Sequence, residues 1–371
     1  MSTIRVRPFF VDDVPSVAGL FQRIFRHSES TPPSSLMAYF QDLYLGNPRV
    51  DSELPSLVCE IDGTVKGFIG ALPMPWSFRG GQLRGVIGGN FMVDRSVRDP
   101  LAARRILSTF FSGPQDFALT DTSNETGRRM WEGLGSSTLP FFSMQWLRIL
   151  SPTKFAASLL ARKSPFSWLK PVLMPIAGSL DIFAKRFVSP TRRVKHQNLE
   201  VLPWSIGVLH KGLAEIAGMR PLAPSYDSAS LEWLISMARK KEEFGPLVCT
   251  LLGDTGGDIV GWYLYYPHKG NIGQVLQVAA RPQSLGAVLE HLFQDAVQRG
   301  SVALIGRMDP KTTTEYASRQ CIFFQRNSHV QVHSRNPEIV NAFLTGDAFF
   351  TRLEGEWWTR LQGDVFKEVR A

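Results

Sequence analysis

One order of secondary-structure signals occurs twice in this chain: strand, two helices, hairpin, strand, helix, strand, helix, strand. In the first half, residues 4–8 have strand character. Asp12-Asp13-Val14-Pro15 then opens a helix with acidic residues in its first turn, where the helix dipole favours them. Val17, Leu20, Phe21, Ile24 and Phe25 give that helix an apolar face. A second helix is expected over 35–45. Residues 57–61 and 65–72 read as a hairpin closed by Asp62-Gly63, and Arg79-Gly80-Gly81 turns the chain into a further strand over 83–93. A helix over 100–111, a strand over 117–120, a helix over 124–134 stopped by Gly135, and a closing strand over 141–149 complete the set. From residue 199 the order returns: strand 199–202, helices 205–217 and 228–241, and a hairpin of 247–252 and 259–266. Strand 275–279, helix 284–298, strand 302–307, short helix 312–319, strand 329–333, helix 337–344 and a last strand over 356–361 follow. The halves share little letter-by-letter identity, so the duplication lies in the order of elements, and that order predicts α/β layering.

A chain of 371 residues suits two such units. The expected division is 1–150, a linker over 151–195, and 196–371. An apolar fraction of 44% with 20% charged residues is that of a globular protein. Cys59, Cys249 and Cys321 are isolated from one another, which argues against a disulfide framework or a metal site and for a reducing compartment. The first 25 residues lack a secretory pattern, and no apolar run reaches the roughly 18 residues that span a bilayer, so the cytoplasm is the expected location. The net charge of +8 is concentrated in 151–195, where nine Lys and Arg face Asp181 as the sole acid. That pattern argues for a local electropositive surface and against a nucleic-acid-binding protein as a whole. Prolines at 152, 165, 171, 175 and 190 divide the segment into short helices. Its Phe166, Trp168, Leu169 and Phe183 are interleaved with cations. Two readings stand side by side: a peripheral anchor in the headgroup region of an anionic membrane, on the inner face of the cytoplasmic membrane, or apolar packing between the two domains.

The chemistry is concentrated in "NFMVDRSVRDPLAARRIL", residues 90–107. A strand that ends in a bulge and passes at once into a helix aims several backbone N–H groups at one spot, and the helix dipole adds to them, which makes a pyrophosphate site. Arg98, Arg104 and Arg105 bring positive charge there. Together with "IRVRPFFVDDVPSVAGLFQRIF" (4–25) and "NETGRRMWEGLGS" (124–136), this stretch resembles the GNAT superfamily of acyl-CoA-dependent acyltransferases. Residues 199–361 resemble it more weakly. The resemblance implies an α/β (α+β) chain of two GNAT-like domains, each a mixed, mostly antiparallel twisted sheet flanked by helices.

The family pattern at the turn is Arg or Gln, two residues, Gly, one residue, Gly or Ala. Arg98 takes the first place and Ala103 the last, while Leu101 stands where Gly is expected, after Pro100, which the first turn of a helix accepts. The resemblance implies acyl-CoA as a co-substrate with no permanently bound cofactor. Phe91, Val93, Arg98, Pro100, Leu101, Ala102, Ala103, Arg104, Asn124 and Trp131 would form its site. A wedge between splayed strands, near 90–93 and 119–121, would receive the pantetheine arm by backbone pairing. The family's usual acid is a Tyr, at the place of Trp131, and an indole is no acid. Asp121, Asn124, Glu125 and His27 are the candidate replacements, although Asp121 also suits a cap and His27 a surface helix end.

In the second half, Arg281, Gln283, Gly286 and Val288 make a degenerate copy of the turn, which suits a structural or acceptor-binding role. Trp262, Tyr263, Tyr265, Tyr266, Trp357 and Trp358 read as strand and core packing, with Glu354 and Glu356 as carboxylates able to pair with an amine. The expected function is acyl-CoA-dependent transfer to an amine. That amine is amphiphilic, such as a lipid amine or sphingoid-like base, if the basic segment meets a membrane. The rivals are a binding protein that kept the fold and lost the chemistry, motivated by Leu101 and Trp131, and an aminoacyl-tRNA-dependent transferase.

Overall fold

The computed structural model describes residues 3–97, 100–163, 199–326 and 328–359. Arg98 and most of the basic segment 151–195 lie outside them, so the membrane and interdomain readings of that segment concern residues not described.

The first copy runs β1 (Ile4–Pro8), α1 (Val14–Phe21), α2 (Ser34–Tyr44), β2 (Leu57–Ile61), β3 (Thr64–Phe78), β4 (Gly81–Val93), α3 (Pro100–Phe111), β5 (Phe117–Ser123), α4 (Glu125–Glu132) and β6 (Ser137–Thr138). A short α5 (Pro140–Ser143), β7 (Met144–Ile149) and α6 (Pro152–Lys163) follow. The second copy runs β8 (Glu200–Leu202), α7 (Ile206–Ile216), β9 (Leu222–Pro224), α8 (Ser228–Arg239), β10 (Val248–Gly253), β11 (Ile259–Tyr266), β12 (Ile272–Ala280), α9 (Leu285–Gln298), β13 (Ala303–Arg307), α10 (Thr313–Ser318) and β14 (Ile322–Gln325). It ends in β15 (His329–Ser334) and α11 (Pro337–Leu344).

Local chemistry accounts for most of these elements. Asp62 and Gly63 both take positive φ (50° and 78°), as do Arg79 and Gly80 (51° and 86°), which is the backbone of a tight two-residue hairpin. The α3 helix buries Ala102, Ala103, Ile106, Leu107, Phe110 and Phe111, an apolar stripe at helical spacing laid on Leu57, Ile69 and Val86 of the sheet.

Two sheets result. The first has the order β1-β2-β3-β4-β5-β15-β6, with β9 paired to the far end of β3. The second has the order β14-β7-β13-β12-β11-β10-β8. The strand over 141–149 therefore does not close the first sheet. As β7 it lies between β13 and β14 of the second, and β15 lies between β5 and β6 of the first. Each copy lends its closing strand to the other. The strand expected over 356–361 is absent among the described residues. Residues 349–359 form instead an irregular strap ending in a 3₁₀ turn, Trp357–Thr359. Leu353 and Trp358 are buried and anchor the strap by their side chains, and the Glu356 N–H is taken by a carboxylate, so no ladder forms. One hydrophobic core runs through both copies, from Phe21, Phe40 and Trp76 to Trp262, Leu276 and Trp358. Every residue of β11 is buried, which gives Trp262, Tyr263, Tyr265 and Tyr266 the packing role expected of them.

Candidate functional site

The centre of the first sheet is built to open. Strand β4 pairs with β3 as Phe68↔Met92 and Gly70↔Gly89, so Asn90 and Phe91 together oppose Ile69. That extra residue is a β-bulge, with Asn90 in the left-handed region at φ 49°. On its other side β4 pairs in parallel with β5 only through Gly85↔Phe117, Val86↔Ala118 and Ile87↔Leu119. Beyond Ile87 the bulge turns β4 away, while β5 continues against β15 (Gln331↔Thr120, His329↔Ser123). The strands diverge and leave a cleft of about 310 Å³.

Gly88, Asn90 and Phe91 of β4 form one wall of the cleft, with Thr120, Thr122 and Ser123 of β5 opposite. Asn124, Gly127 and Trp131 close one side, and Phe21 and Phe25 of the first helical segment another. Trp131 is buried (2% exposed) and meets Phe111 edge to face at 4.8 Å. A Cβ on Gly88 would come within 3.2 Å of Phe110 and 3.4 Å of Trp131, so the absence of a side chain there keeps both the packing and the opening.

The carboxylate in the cleft is that of Glu356, delivered by the strap. It is 5% exposed. Its Oε1 accepts from the Thr120 and Thr122 hydroxyls at 2.5 and 2.8 Å, and its Oε2 accepts from the Asn90 backbone N–H at 3.2 Å. Thr120 and Thr122 reach it because residues two apart on a strand share a face. Buried Tyr44 sits behind Asn90, accepting from its Nδ2 at 2.8 Å. Burial, and then the nearby Glu356 charge, push the Tyr44 phenol well above its ordinary range, so it stays protonated.

The expected site residues divide. Phe91, Asn124 and Trp131 line the cleft. Asn124 is also the N-cap of α4, its Oδ1 accepting from the Gly127 N–H at 2.8 Å. Asp121 does not line the cleft. Strand alternation turns it to the opposite face of β5, where its Oδ2 pairs with Arg307 of β13 and its Oδ1 accepts from the Glu356 N–H at 2.7 Å. His27 is exposed, in a left-handed conformation (φ 52°) after the first helical segment, and does not line the cleft. Glu125 is clamped by Arg128 and then Arg129, which pull its carboxyl down to about 2. Val93 ends β4 opposite Gly67 and does not line the cleft. Pro100 opens α3. Ala102 and Ala103 are spent on helix–sheet packing, while Leu101 and Arg104 face solvent. Glu356 carried a weak signal in the sequence: two glutamates around one glycine in an apolar stretch, Leu353-Glu354-Gly355-Glu356-Trp357.

The second sheet repeats the opening and fills it. Strand β12 carries an extra residue against β11 (Leu264↔Gln277, Tyr265↔Val275) and pairs in parallel with β13 from Ile272↔Ala303 only as far as Gln274↔Ile305. Phe349, Phe350 and Thr351 of the strap occupy the gap, leaving about 70 Å³. At the degenerate turn, Gly286 accommodates the guanidinium of Arg319, which a Cβ would strike. Arg319 is buried, with Glu315 and Glu290 as partners. Among the described residues, no group of His, Cys, Asp or Glu is placed to hold a metal ion, and no helix is long and apolar enough to cross a membrane.

No family model and no curated protein matches the chain. Solved structures do. A conserved protein of unknown function from Enterococcus faecalis, described as a probable N-acyltransferase, superposes with a TM-score of 0.59 at 11% identity, over 90% of this chain and 73% of that one. A GCN5-related N-acetyltransferase from Anabaena variabilis gives 0.58 at 10% identity, over 90% and 74%. Another from Kribbella flavida gives 0.52 at 10%, over 89% and 71%. At such identities the likeness is one of fold: this chain has the GNAT fold, in two copies.

Proposed function

We propose that this duplicated GNAT fold is an acyl-CoA-dependent N-acyltransferase with one working cleft, the opening between β4 and β5. The observation that carries the reading is the buried Glu356 carboxylate held by Thr120, Thr122 and the bulge at Asn90, inside a cleft where β4 and β5 no longer pair with each other. The pantetheine arm pairs with the backbone of β4 beyond Ile87 and of β5 beyond Leu119, as an added strand would. The pyrophosphate lies at the start of α3, at 100–104, where helix N–H groups converge, and the sequence supplies Arg98 just before it.

In the reaction the acceptor nitrogen bonds to the thioester carbonyl carbon and the carbon–sulfur bond breaks. Glu356 receives the proton that the nitrogen loses, and the departing thiolate takes up one proton, so the products are an amide and free CoA. Trp131, Asn124 and Phe91 shape the cavity and take no proton. Positioning supplies the rest of the acceleration. The amine is an amphiphilic one, a lipid amine or sphingoid-like base. The basic, aromatic composition of 151–195 supports this, because it suits an anionic membrane surface.

The test is a titration of the purified protein with acetyl-CoA and palmitoyl-CoA by calorimetry, joined to an assay of thiol release with a long-chain primary amine. Binding of a CoA thioester is expected, and Glu356→Gln is expected to lower kcat by about 10²- to 10⁴-fold with donor affinity kept. Absence of binding to either thioester removes the proposal. Binding without turnover leaves the non-catalytic reading, which Leu101 and Trp131 at the two family positions favour.

A further inference from the structure

We infer that the second copy is the positioning frame of the first copy's cleft: its own opening binds this chain's C-terminal strap, and Arg307 with Asp121 sets Glu356 in place. The inference rests on the reading of Glu356 as proton acceptor and adds to it a role for half of the chain.

The two openings are geometrically alike, and the strap passes through both. In the second, the Arg352 guanidinium donates to the Val275 and Ile305 carbonyls at 3.2 and 3.4 Å, which lie just where β12 and β13 part. A donor arm in this copy would need those same backbone groups, and its phosphates would need the space that Arg319 takes beside Gly286. Both demands are met by the chain itself, so one donor binds per chain. Four residues beyond Arg352, the strap enters the first opening with Glu356.

One ion pair grips both ends of this stretch, whose middle residue Glu354 accepts from Tyr226, Gln277 and Thr351. Asp121 lies two residues past Leu119, the last residue of β5 paired to β4, and Arg307 lies two residues past Ile305, the last of β13 paired to β12. They occupy the same position in the two copies, carry opposite charges, and meet with side chains 0% and 7% exposed. Arg307 also donates to the Thr351 carbonyl at 3.0 Å and lies 4.7 Å above the Phe350 ring. Asp121 accepts the Glu356 N–H at 2.7 Å. The pair therefore grips the strap on both sides of its passage, at Thr351 and at Glu356. Asp121 lies outside the first cleft, so both residues act through Glu356 and are positioning residues.

The test exchanges both partners together, Asp121→Leu with Arg307→Met, because removing one alone would strand a buried charge and endanger folding. Asp121→Asn with Arg307→Gln, which keeps an acceptor for the Glu356 N–H and strands no charge, serves as the conservative variant. Hydrogen exchange of the peptide 349–359 is read first and needs no substrate. We expect its amides to exchange at least 100-fold faster in the Leu/Met exchange, with the strands of both sheets unchanged, and to stay within tenfold of wild type in Asp121→Asn with Arg307→Gln. Acetyl-CoA is expected to titrate at one per chain in both, with Kd within threefold of wild type. Turnover is expected to fall at least 30-fold in the Leu/Met exchange, yet no more than twofold when the same exchange is made on Glu356→Gln, since residues acting as a unit are not additive. Unchanged strap exchange, two donors per chain, or an equal loss on the Glu356→Gln background overturns the inference. If wild type binds no CoA thioester, the proposed function has failed instead, and the hydrogen-exchange result still decides whether the pair positions the strap.

Discussion

Gly355 faces the Asp121 carboxyl group of the buried ion pair, and replacing it with Ala measures how little room is there. Its φ is not in the left-handed region, so Ala is compatible with the backbone and only the methyl group matters. A Cβ at 355 would overlap the carboxyl group of Asp121. That carboxyl group is fixed at both oxygens, by Arg307 and by the Glu356 N–H, and its side chain has no solvent to move into. Either the strap shifts outward, at an overpacking cost of ~1–3 kcal/mol, or the ion pair loosens, where complete loss of one buried partner costs ~3–5 kcal/mol. The lesser distortion sets the outcome, so a destabilisation of about 1–3 kcal/mol is expected. Unfolding entropy of ~2.1 cal/mol/K per residue gives about 0.8 kcal/mol/K for 371 residues, so Tm falls by about 1–4 °C. Differential scanning calorimetry reads this directly. Gly218→Ala is the control, since a methyl group there meets nothing within 4 Å and Tm should stay within 1 °C of wild type. A Gly355→Ala protein that melts with wild type refutes the claim that the pair is tightly enclosed.

Three further outcomes follow from the described geometry. Trp76, fully buried with its indole N–H unpaired and its ring against Phe117 and Phe343, should cost ~3–5 kcal/mol when changed to Ala. Changed to Phe it should cost under ~1.5 kcal/mol by denaturant titration, because the orphan donor leaves with the indole. His333 stacks on Phe111 at 4.2 Å, and burial followed by Arg335 holds its pKa below 6.5. Unfolding therefore takes up a proton below pH 6.5. Its contribution to stability is present above that value and is lost as pH falls toward the folded pKa, so the stability difference between pH 7.5 and 5.5 should shrink in His333→Phe. Burial pushes the thiols of Cys59, Cys249 and Cys321 up, to about 11 for Cys249 and about 12 for Cys321. A thiol reagent at pH 8 should therefore find all three slow in the native protein and fast in denaturant.

The sequence made the interior of each copy legible and hid what passes between the copies. The turns at Asp62-Gly63 and Arg79-Gly80 and the stripe from Ala102 to Phe111 are local signals, set by φ preference and by helical period, and they give the hairpins and α3 almost residue by residue. The exchange of β7 and β15 leaves no such mark, because a strand's alternation says which face is buried and nothing about which sheet it joins. Ile322–Gln325 was too short to separate from a loop, although β14 caps the second sheet. At the cleft, Phe91, Asn124 and Trp131 were legible only through the family resemblance. Asp121 was legible as important but not as an ion-pair partner, because Arg307 lies 186 residues away. Glu356 sat in a stretch whose aromatic residues imitate a strand. Only the three-dimensional course of the strap separates Glu354, which accepts from Tyr226, Gln277 and Thr351, from Glu356, which enters the cleft.

The lent strands also set the order in which this protein can be made. While the ribosome is still synthesising the second half, β5 and β6 wait for β15 to come between them, and the edge of β5 that β15 will take stays free to meet solvent or a chaperone. At ~5–20 residues per second, the interval from residue 150 to residue 334 lasts about 10–40 s. The first copy is then a nascent domain with a missing rib, and its completion is timed by translation of the second.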